Sequence, residues 1–537
     1  MATNAAGTTV IVVSRPSSVE IARHSMGDDA VLKHSPAAAL ALAAPPPPTS
    51  KTPSQVVVNQ TTCNGAQYTY QQLAGYGFVA SDARDKFGDT IGGHGSAIAI
   101  EHGSWSKTGN GSYTGVLWTL PDRGWNTQGT LNYQNRVHKW RIELTLMPDA
   151  TVEKPSGPNF EFTYLDTVRF VDPSGQPTTG LDAKPEGPYL AFNGIDFQLP
   201  STTYQGDGFG NPGSGGSRVV VDSEGLVIDQ TGHFWVSDEY GPFIYQFDPS
   251  GKMVTAIKPP DAYIPYRNDS ISYSADSLPI YEPNLSVTPS DPDSGRSNNQ
   301  GFEGLTISDN GKSLWALMQS ALIQDGAAHK SDRRNSRLLQ IDLTQSPPAA
   351  VAEYVVQLPL YRDDSKVAAQ SEIHHVKGTQ FLVLARDSGA GAGQSSTESV
   401  YRHADVFDIA GATNTFSSAN DGEGDNIASK KGKLHSDIVP ATYCSWLDYN
   451  VNSQLNRFGV HNGGAQDAGL LNEKWESIAL VPVDCEDDGE YFLISLSDND
   501  FITQNGYLEG GAFKYKDASG HSLPNQALVF QVQIPKK

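Results

Sequence analysis

The sequence predicts an all-β fold: a β-propeller, six-bladed by its repeats with five blades as the alternative, carrying long insertions between blades. Three observations predict it. A strand–turn–strand unit recurs along the chain, its turns carry the Gly, Asn and Asp that tight hairpins require, and sustained helical periodicity is missing. Composition agrees, because 38% hydrophobic residues with 52 Gly and 33 Pro in 537 residues suit many short strands joined by turns.

Residues 1–60 are rich in Ala, Pro and Ser and read as a disordered lead. Within it, "LKHSPAAALALAAPPPPTSKTPSQ" is weakly apolar and runs into proline, which leaves open a signal remnant, a mis-assigned start or a plain tail. Residues 61–537 read as one propeller domain. The first unit, "GSAIAIEHGSWSKTGNGSYTGVLWTLPDRG" from Gly95 to Gly124, is the most divergent. Next comes "SEGLVIDQTGHFWVSDEYG", Ser223 to Gly241, with "FIYQFDPSG" as a third strand. "FEGLTISDNGKSLWALMQSA", Phe302 to Ala321, is followed by "RLLQIDL". "SEIHHVKGTQFLVLARDSG", Ser371 to Gly389, and "WESIALVPVDCEDDGEYFLISLSDND", Trp475 to Asp500, complete the five clear hairpins. The strands "FWVSD", "SLWALM", "FLVLA" and "YFLISL" are apolar and partly β-branched or aromatic, as buried strands are. A sixth blade is expected from "FTYLDTVRFVD", "ALVFQVQIP" or the region 404–470.

The repeat also places chemistry. In an antiparallel hairpin the start of the first strand and the end of the second lie at the same end. Glu224, Glu303, Glu372 and Glu476 begin the first strands, with Ser96 in their place in the divergent unit. They are therefore expected to ring the channel mouth. Asp122, Asp238, Glu239, Gln319, Arg386, Asp387, Asp498, Asn499 and Asp500 end the second strands and form a second ring on the same face. Carboxylates this close repel unless neutralised. Ca²⁺ suits them, since it takes six to eight oxygen ligands in flexible geometry. The expected metal set is thus Glu224, Glu303, Glu372, Glu476, Asp122, Asp238, Asp387, Asp498, Asn499 and Asp500. The bland reading is that the glutamates accept backbone N–H bonds between blades and hold the ring shut. The aspartates, in the same bland reading, are turn formers.

His94 in "GGHGSAI" and His374 after Glu372 are expected as general bases, against the more usual packing role of a lone histidine. Arg123 and Arg386 are expected to bind an anionic group, and Glu239 joins them as a catalytic carboxylate. A GxSxG elbow and a P-loop are both missing, which argues against a serine hydrolase and a nucleotide phosphate cradle. "GDGFGNPGSGGS", Gly206 to Ser217, lacks the lysine such a cradle needs and reads as an insertion loop.

A net charge of −22 argues against nucleic acid as a partner and demands a cation for any anionic substrate. No run of 18 apolar residues predicts a membrane span. Cys63, Cys444 and Cys485 allow one disulfide and a free thiol without saying which. A closed propeller needs no partner for its sheet edges, so a monomer is expected.

Taken together, "IGGHGSAIAI…LPDRGWN", "DSEGLVID…WVSDEYGPFIYQFDPSG", "NQGFEGLTISDNGKSLWALMQS", "RRNSRLLQIDL", "SEIHHVKGTQFLVLARDSG" and "WESIAL…SLSDNDF" resemble the phytase-like domain family, described by an esterase-like activity of phytase. The fungal secreted branch is the most similar, and the resemblance spans roughly residues 75–535. It implies a secreted β-propeller hydrolase of phosphate or related esters that uses calcium. His94 stands where the family pattern leads one to expect an apolar residue, and Ser96 leaves its blade without a glutamate. The function expected is hydrolysis of a small phosphate ester by calcium-activated water. The alternatives are a calcium-dependent carboxylesterase or lactonase on the same propeller, and a non-catalytic binding propeller.

Overall fold

A computed structural model describes residues 57–363, 365–484 and 489–536. The expected disordered lead lies, up to residue 56, outside the described residues, as does Cys485. Within the unit Gln55–Lys537 the chain forms five sheets arranged as the blades of a propeller.

Each blade is an antiparallel meander that begins at the centre and runs outward. Blade I comprises Ala97–Ile100, Ser112–Leu120, Arg136–Thr145 and Phe160–Arg169, with Ser106–Lys107 pairing to its second strand. Blade II comprises Ser223–Ile228, Phe234–Asp238, Ile244–Phe247 and Met253–Ile257. Blade III is built from Phe302–Ile307, Ser313–Met318, Asn335–Asp342 and Ala349–Gln357. Blade IV is built from Ala369–Lys377, Gln380–Arg386, Arg402–Asp408 and Thr442–Asp448. Blade V takes Lys474–Pro482, Glu490–Asp498 and Asn525–Gln533 from the end of the chain, then Ala66–Val79 and Asn59–Cys63 from its start. The innermost strands neighbour one another in this order, and blade V returns to blade I, so the ring closes at five.

Six blades are therefore one too many. The segment "FTYLDTVRFVD" is the outer strand of blade I, "ALVFQVQIP" is the third strand of blade V, and the region 404–470 supplies the outer half of blade IV. The two ends of the chain share one blade, which pairs the edges a linear array would leave open. The strand Asn59–Cys63 already belongs to the propeller, so the fold starts slightly before the expected boundary at 61. A disulfide joins Cys63 to Cys444 with Cα atoms 5.8 Å apart, tying the outermost strand of blade V to that of blade IV.

The five hairpins follow from their sequences. Strands such as Phe234–Asp238 and Glu490–Asp498 are buried at nearly every position, because a blade is covered on both faces by its neighbours. At the start of the inner strand, the ladder of blades II to V slips by one residue at or beside the glutamate. Such a bulge re-aims a side chain. In blades II and III the next residue is glycine for a steric reason. A Cβ on Gly225 would lie 2.5 Å from Leu305 Cβ, and one on Gly304 would lie 2.8 Å from the Ile373 nitrogen. Glycine thus lets the inner strands of adjacent blades approach closely at the level of the acids.

The long insertions carry short two-stranded sheets, among them Ser201–Tyr204 with Gly216–Val219, which brackets the glycine-rich loop. A buried ion triad anchors another insertion. Arg337 lies 2.9 Å from Asp325 and 3.4 Å from Glu353, and Tyr263 donates to Glu353 at 2.5 Å.

Candidate active site

Alternation along the strand decides which of the expected acids meet. At the end of the second strands the side chains that turn to the centre are Asp122, Glu239, Gln319, Arg386 and Asp498. Their immediate neighbours turn away. Asp238 spends both oxygens on its own loop, accepting from the Asp222 and Tyr240 nitrogens at 2.9 and 3.1 Å, and from Gly241 N and the Tyr245 hydroxyl at 2.9 and 3.2 Å. Asp387 accepts from the Ser399 hydroxyl at 2.7 Å and from Val400 N at 2.8 Å. The Asn499 oxygen accepts from Gly93 and Phe501 nitrogens at 2.8 and 3.1 Å, and its amide donates to Leu523 O at 2.6 Å. Asp238, Asp387 and Asn499 are turn formers, which corrects their expected role as metal ligands. Successive strand residues point to opposite sides, so one acid of each adjacent pair is lost to the site.

Among the four bulge glutamates, Glu372 also departs from expectation. One of its oxygens accepts from Leu305 N of blade III at 3.0 Å and from Ile373 N at 2.8 Å. It stitches blade III to blade IV, the bland reading realised at one position of four. Glu303 has one oxygen held by the Gln319 amide, while its other oxygen is buried without a hydrogen-bond partner. Glu476 is paired with the Arg386 guanidinium, and its second oxygen lies 3.5 Å from Lys474 Nζ. Burial, and then Glu303 and Glu239, hold the Glu224 carboxyl well above its ordinary range.

Two acidic triads result, each with one oxygen per residue inside 4.8 Å of the others: Asp122, Asp498 and Asp500, and Asp222, Glu224 and Glu239. Two members of the first hold a lysine. Lys474 Nζ lies 2.7 Å from Asp498 and 2.8 Å from Asp500. Asp122 also accepts from Gly124 N at 3.1 Å and from the Asn126 amide at 3.3 Å. In the second triad Arg123 lies 3.0 Å from Asp222, while both Glu239 oxygens are buried with no hydrogen-bond partner among the described residues. Burial, and next the Asp222 charge, push the Glu239 carboxyl up to about 8. A buried carboxylate without donors is costly unless a proton or a cation balances it. The second triad is therefore the better fit to a metal ion. Its all-oxygen donors suit a hard cation such as Ca²⁺ rather than zinc.

The two histidines lie elsewhere. His94 is fully buried, with its ring 5.4 Å from Trp140 and 6.2 Å from Phe162. Burial alone drives it down to about 3, with no acid contributing, and its ring packs on aromatic side chains of blade I, which does not suit the expected role of base. His374 lines a different space, an 870 Å³ cavity formed by the channel between the inner strands and opening among the hairpin turns at the other end. Leu226, Leu305 and Ile478, each just past a bulge, mark where that cavity stops beneath the acids.

Sequence reasoning missed Lys474 and Asp222. The signal was available, since both stand two residues before a bulge glutamate and so share its side of the strand.

The class is thus a closed five-bladed propeller whose channel mouth gathers buried carboxylates around the cationic side chains Lys474, Arg386 and Arg123. The family follows from comparison. A family profile described as "Phytase-like: Esterase-like activity of phytase" matches residues 102–501, and the chain belongs to that family. A protein of Arthroderma benhamiae named "Uncharacterized secreted protein" is 54% identical over 467 residues, covering 84% of this chain and 90% of its own length. Solved structures are far more distant. A gluconolactonase from Xanthomonas campestris is 8% identical, covers 89% of this chain and 95% of its own, and has a TM-score of 0.25. An inactive virginiamycin B lyase from Staphylococcus aureus is 10% identical over 90% of this chain and 97% of its own, also with a TM-score of 0.25. Likenesses this low say nothing about chemistry.

Proposed function

We propose that this protein is a secreted, calcium-dependent hydrolase of small phosphate esters, acting at the strand-start mouth of the propeller. The observation that carries the reading is the pairing of an orphaned carboxylate with accessible cations. Glu239 is buried without a partner, while the Lys474, Arg386 and Arg123 side chains are 23%, 12% and 10% exposed. Their carboxylate partners Asp498, Asp222 and Glu476 are 0 to 3% exposed, Asp500 being the open one. An arriving anion meets positive charge before it meets most of the acids.

Asp222, Glu224 and Glu239 would hold the cation, which when bound supplies Lewis acidity toward a phosphoryl oxygen and a lower pKa for bound water. Lys474 and Arg386 orient the remaining anionic oxygens by charge-assisted hydrogen bonds. Glu303, pinned at one oxygen by Gln319, offers its unpartnered oxygen to accept the proton of the attacking water. Secretion is supported by the Cys63–Cys444 disulfide, which persists in oxidising surroundings, and by the name of the fungal relative.

Hydrolysis of p-nitrophenyl phosphate and of p-nitrophenyl acetate, each measured after EDTA treatment and again with calcium restored, tests the reading. Phosphate release that needs calcium is the expected result. Acetate turnover alone would replace it with the carboxylesterase reading, and turnover of neither would leave the face as a binding surface. No helix among the described residues is long and apolar enough to cross a membrane.

A further inference from the structure

The two triads lie beside equivalent hairpins of blades V and II, yet equivalent positions of those hairpins are charged differently. In blade V, Lys474 pairs across the hairpin with Asp498, and Glu476 follows at the bulge. In blade II, Glu239 N donates to Asp222 O at 2.9 Å, which makes Asp222 and Glu239 the corresponding cross-strand neighbours, and Glu224 follows at the bulge. One hairpin thus opposes two acids where the other opposes a lysine and an acid. The lysine lies against three of the carboxylates around it. Its ammonium, which has three donors, lies 2.7 Å from Asp498, 2.8 Å from Asp500 and 3.5 Å from Glu476. Arg123 reaches only Asp222 of the other triad, and both Glu239 oxygens stay unpartnered.

We propose that the Lys474 ammonium is the built-in counter-cation of the Asp122–Asp498–Asp500 triad, and that it limits this mouth to a single divalent ion at Asp222, Glu224 and Glu239. The inference rests on the metal reading above but is separable from it. A compact ammonium at this point occupies the position from which an ion would reach Asp498 and Asp500, two of the three aspartates. A dication brought beside it would meet a like charge at short range. The lysine leaves the mouth one fixed positive group, which does not depend on metal supply.

Calcium stoichiometry, counted by isothermal titration and by native mass spectrometry on the full chain, tests the proposal. The wild type is expected to bind one ion and Lys474→Ala two, with folding checked by circular dichroism and thermal melting. Asp500→Asn serves as a second variant: it is expected to keep one ion, because Asp500 holds only the lysine. Two ions in the wild type, one ion in both the wild type and a folded Lys474→Ala, or loss of the ion in Asp500→Asn would each overturn the proposal. If the wild type binds none and Lys474→Ala binds one, the counter-cation role stands and the Asp222 centre falls. If neither binds calcium, both fall.

Discussion

Replacing Glu239 by Gln removes one acidic ligand from the blade II triad while keeping the side chain's volume. The wild-type fold should gain stability from calcium by mass action, about 2.7 kcal/mol when the free ion stands at a hundred times its dissociation constant. Unfolding roughly 480 residues carries an entropy near 1 kcal/mol/K, so that gain corresponds to a rise in Tm of about 3 °C. If the substitution weakens binding a hundredfold, the same calcium concentration yields only about 0.4 kcal/mol, and the rise all but vanishes. Differential scanning calorimetry in EDTA and in millimolar calcium reads both numbers. The metal-free arm has its own sign. Burial and Asp222 hold the Glu239 carboxyl at about 8, above its unfolded value. The metal-free wild type should therefore lose stability as pH rises from the ordinary carboxylate range toward 8, and Glu239→Gln should lose less. A wild-type Tm indifferent to calcium, or a Glu239→Gln variant that keeps the full rise, would refute the assignment of the ion to this triad.

Three further predictions concern the scaffold. Arg337→Ala leaves Asp325 and Glu353 buried without their cation and should cost about 3–5 kcal/mol in urea unfolding, whereas a loss under 1 kcal/mol would show the triad to be replaceable. Cys63→Ser should cost about 2–5 kcal/mol and, because the bridge ties blade V to blade IV, should open the closing blade to hydrogen exchange first; uniform protection across all blades would contradict that. His403 is disfavoured as a cation by burial, but Asp405 at 3.3 Å and Asp448 at 3.6 Å outweigh this and raise it above the ordinary histidine value. Its contribution is present below the unfolded pKa and is lost as pH rises through the raised one, so His403→Gln should flatten that part of the stability profile. A wild-type profile with no such decline near neutral pH would rule the pair out.

How far the sequence went can be read at particular residues. "SEG", "FEG", "SEI" and "WES" placed Glu224, Glu303, Glu372 and Glu476 at equivalent points of four hairpins, and antiparallel pairing alone sent Asp122, Glu239 and Asp498 to the same face. That reasoning is local, because a hairpin's geometry is set by its own turn and pleat. Alternation would also have separated Glu239 from Asp238, and it would have recovered Asp222 and Lys474 had it been applied to the residues before each glutamate. Two things lay beyond it. The blade count depends on which strands close the ring, and blade V pairs residues 69–79 with residues 525–533, a pairing that no local pattern encodes.

The fate of each equivalent glutamate depends on what its own blade and the next one present. Glu372 meets the Leu305 and Ile373 nitrogens and becomes a stitch, Glu476 meets Arg386 and Lys474, and Glu303 keeps an empty oxygen. His94, which reads as a base beside the site, ends against the aromatic side chains Trp140 and Phe162 of blade I. By itself the sequence determined the repeat, the hairpins and the face on which the acids gather, because those follow from period, turn chemistry and strand direction. Only the tertiary structure decided which acids are satisfied and which are left without a partner, because a buried carboxylate draws partners from the neighbouring blade as well as from its own, as Leu305 N does for Glu372 and Arg386 for Glu476.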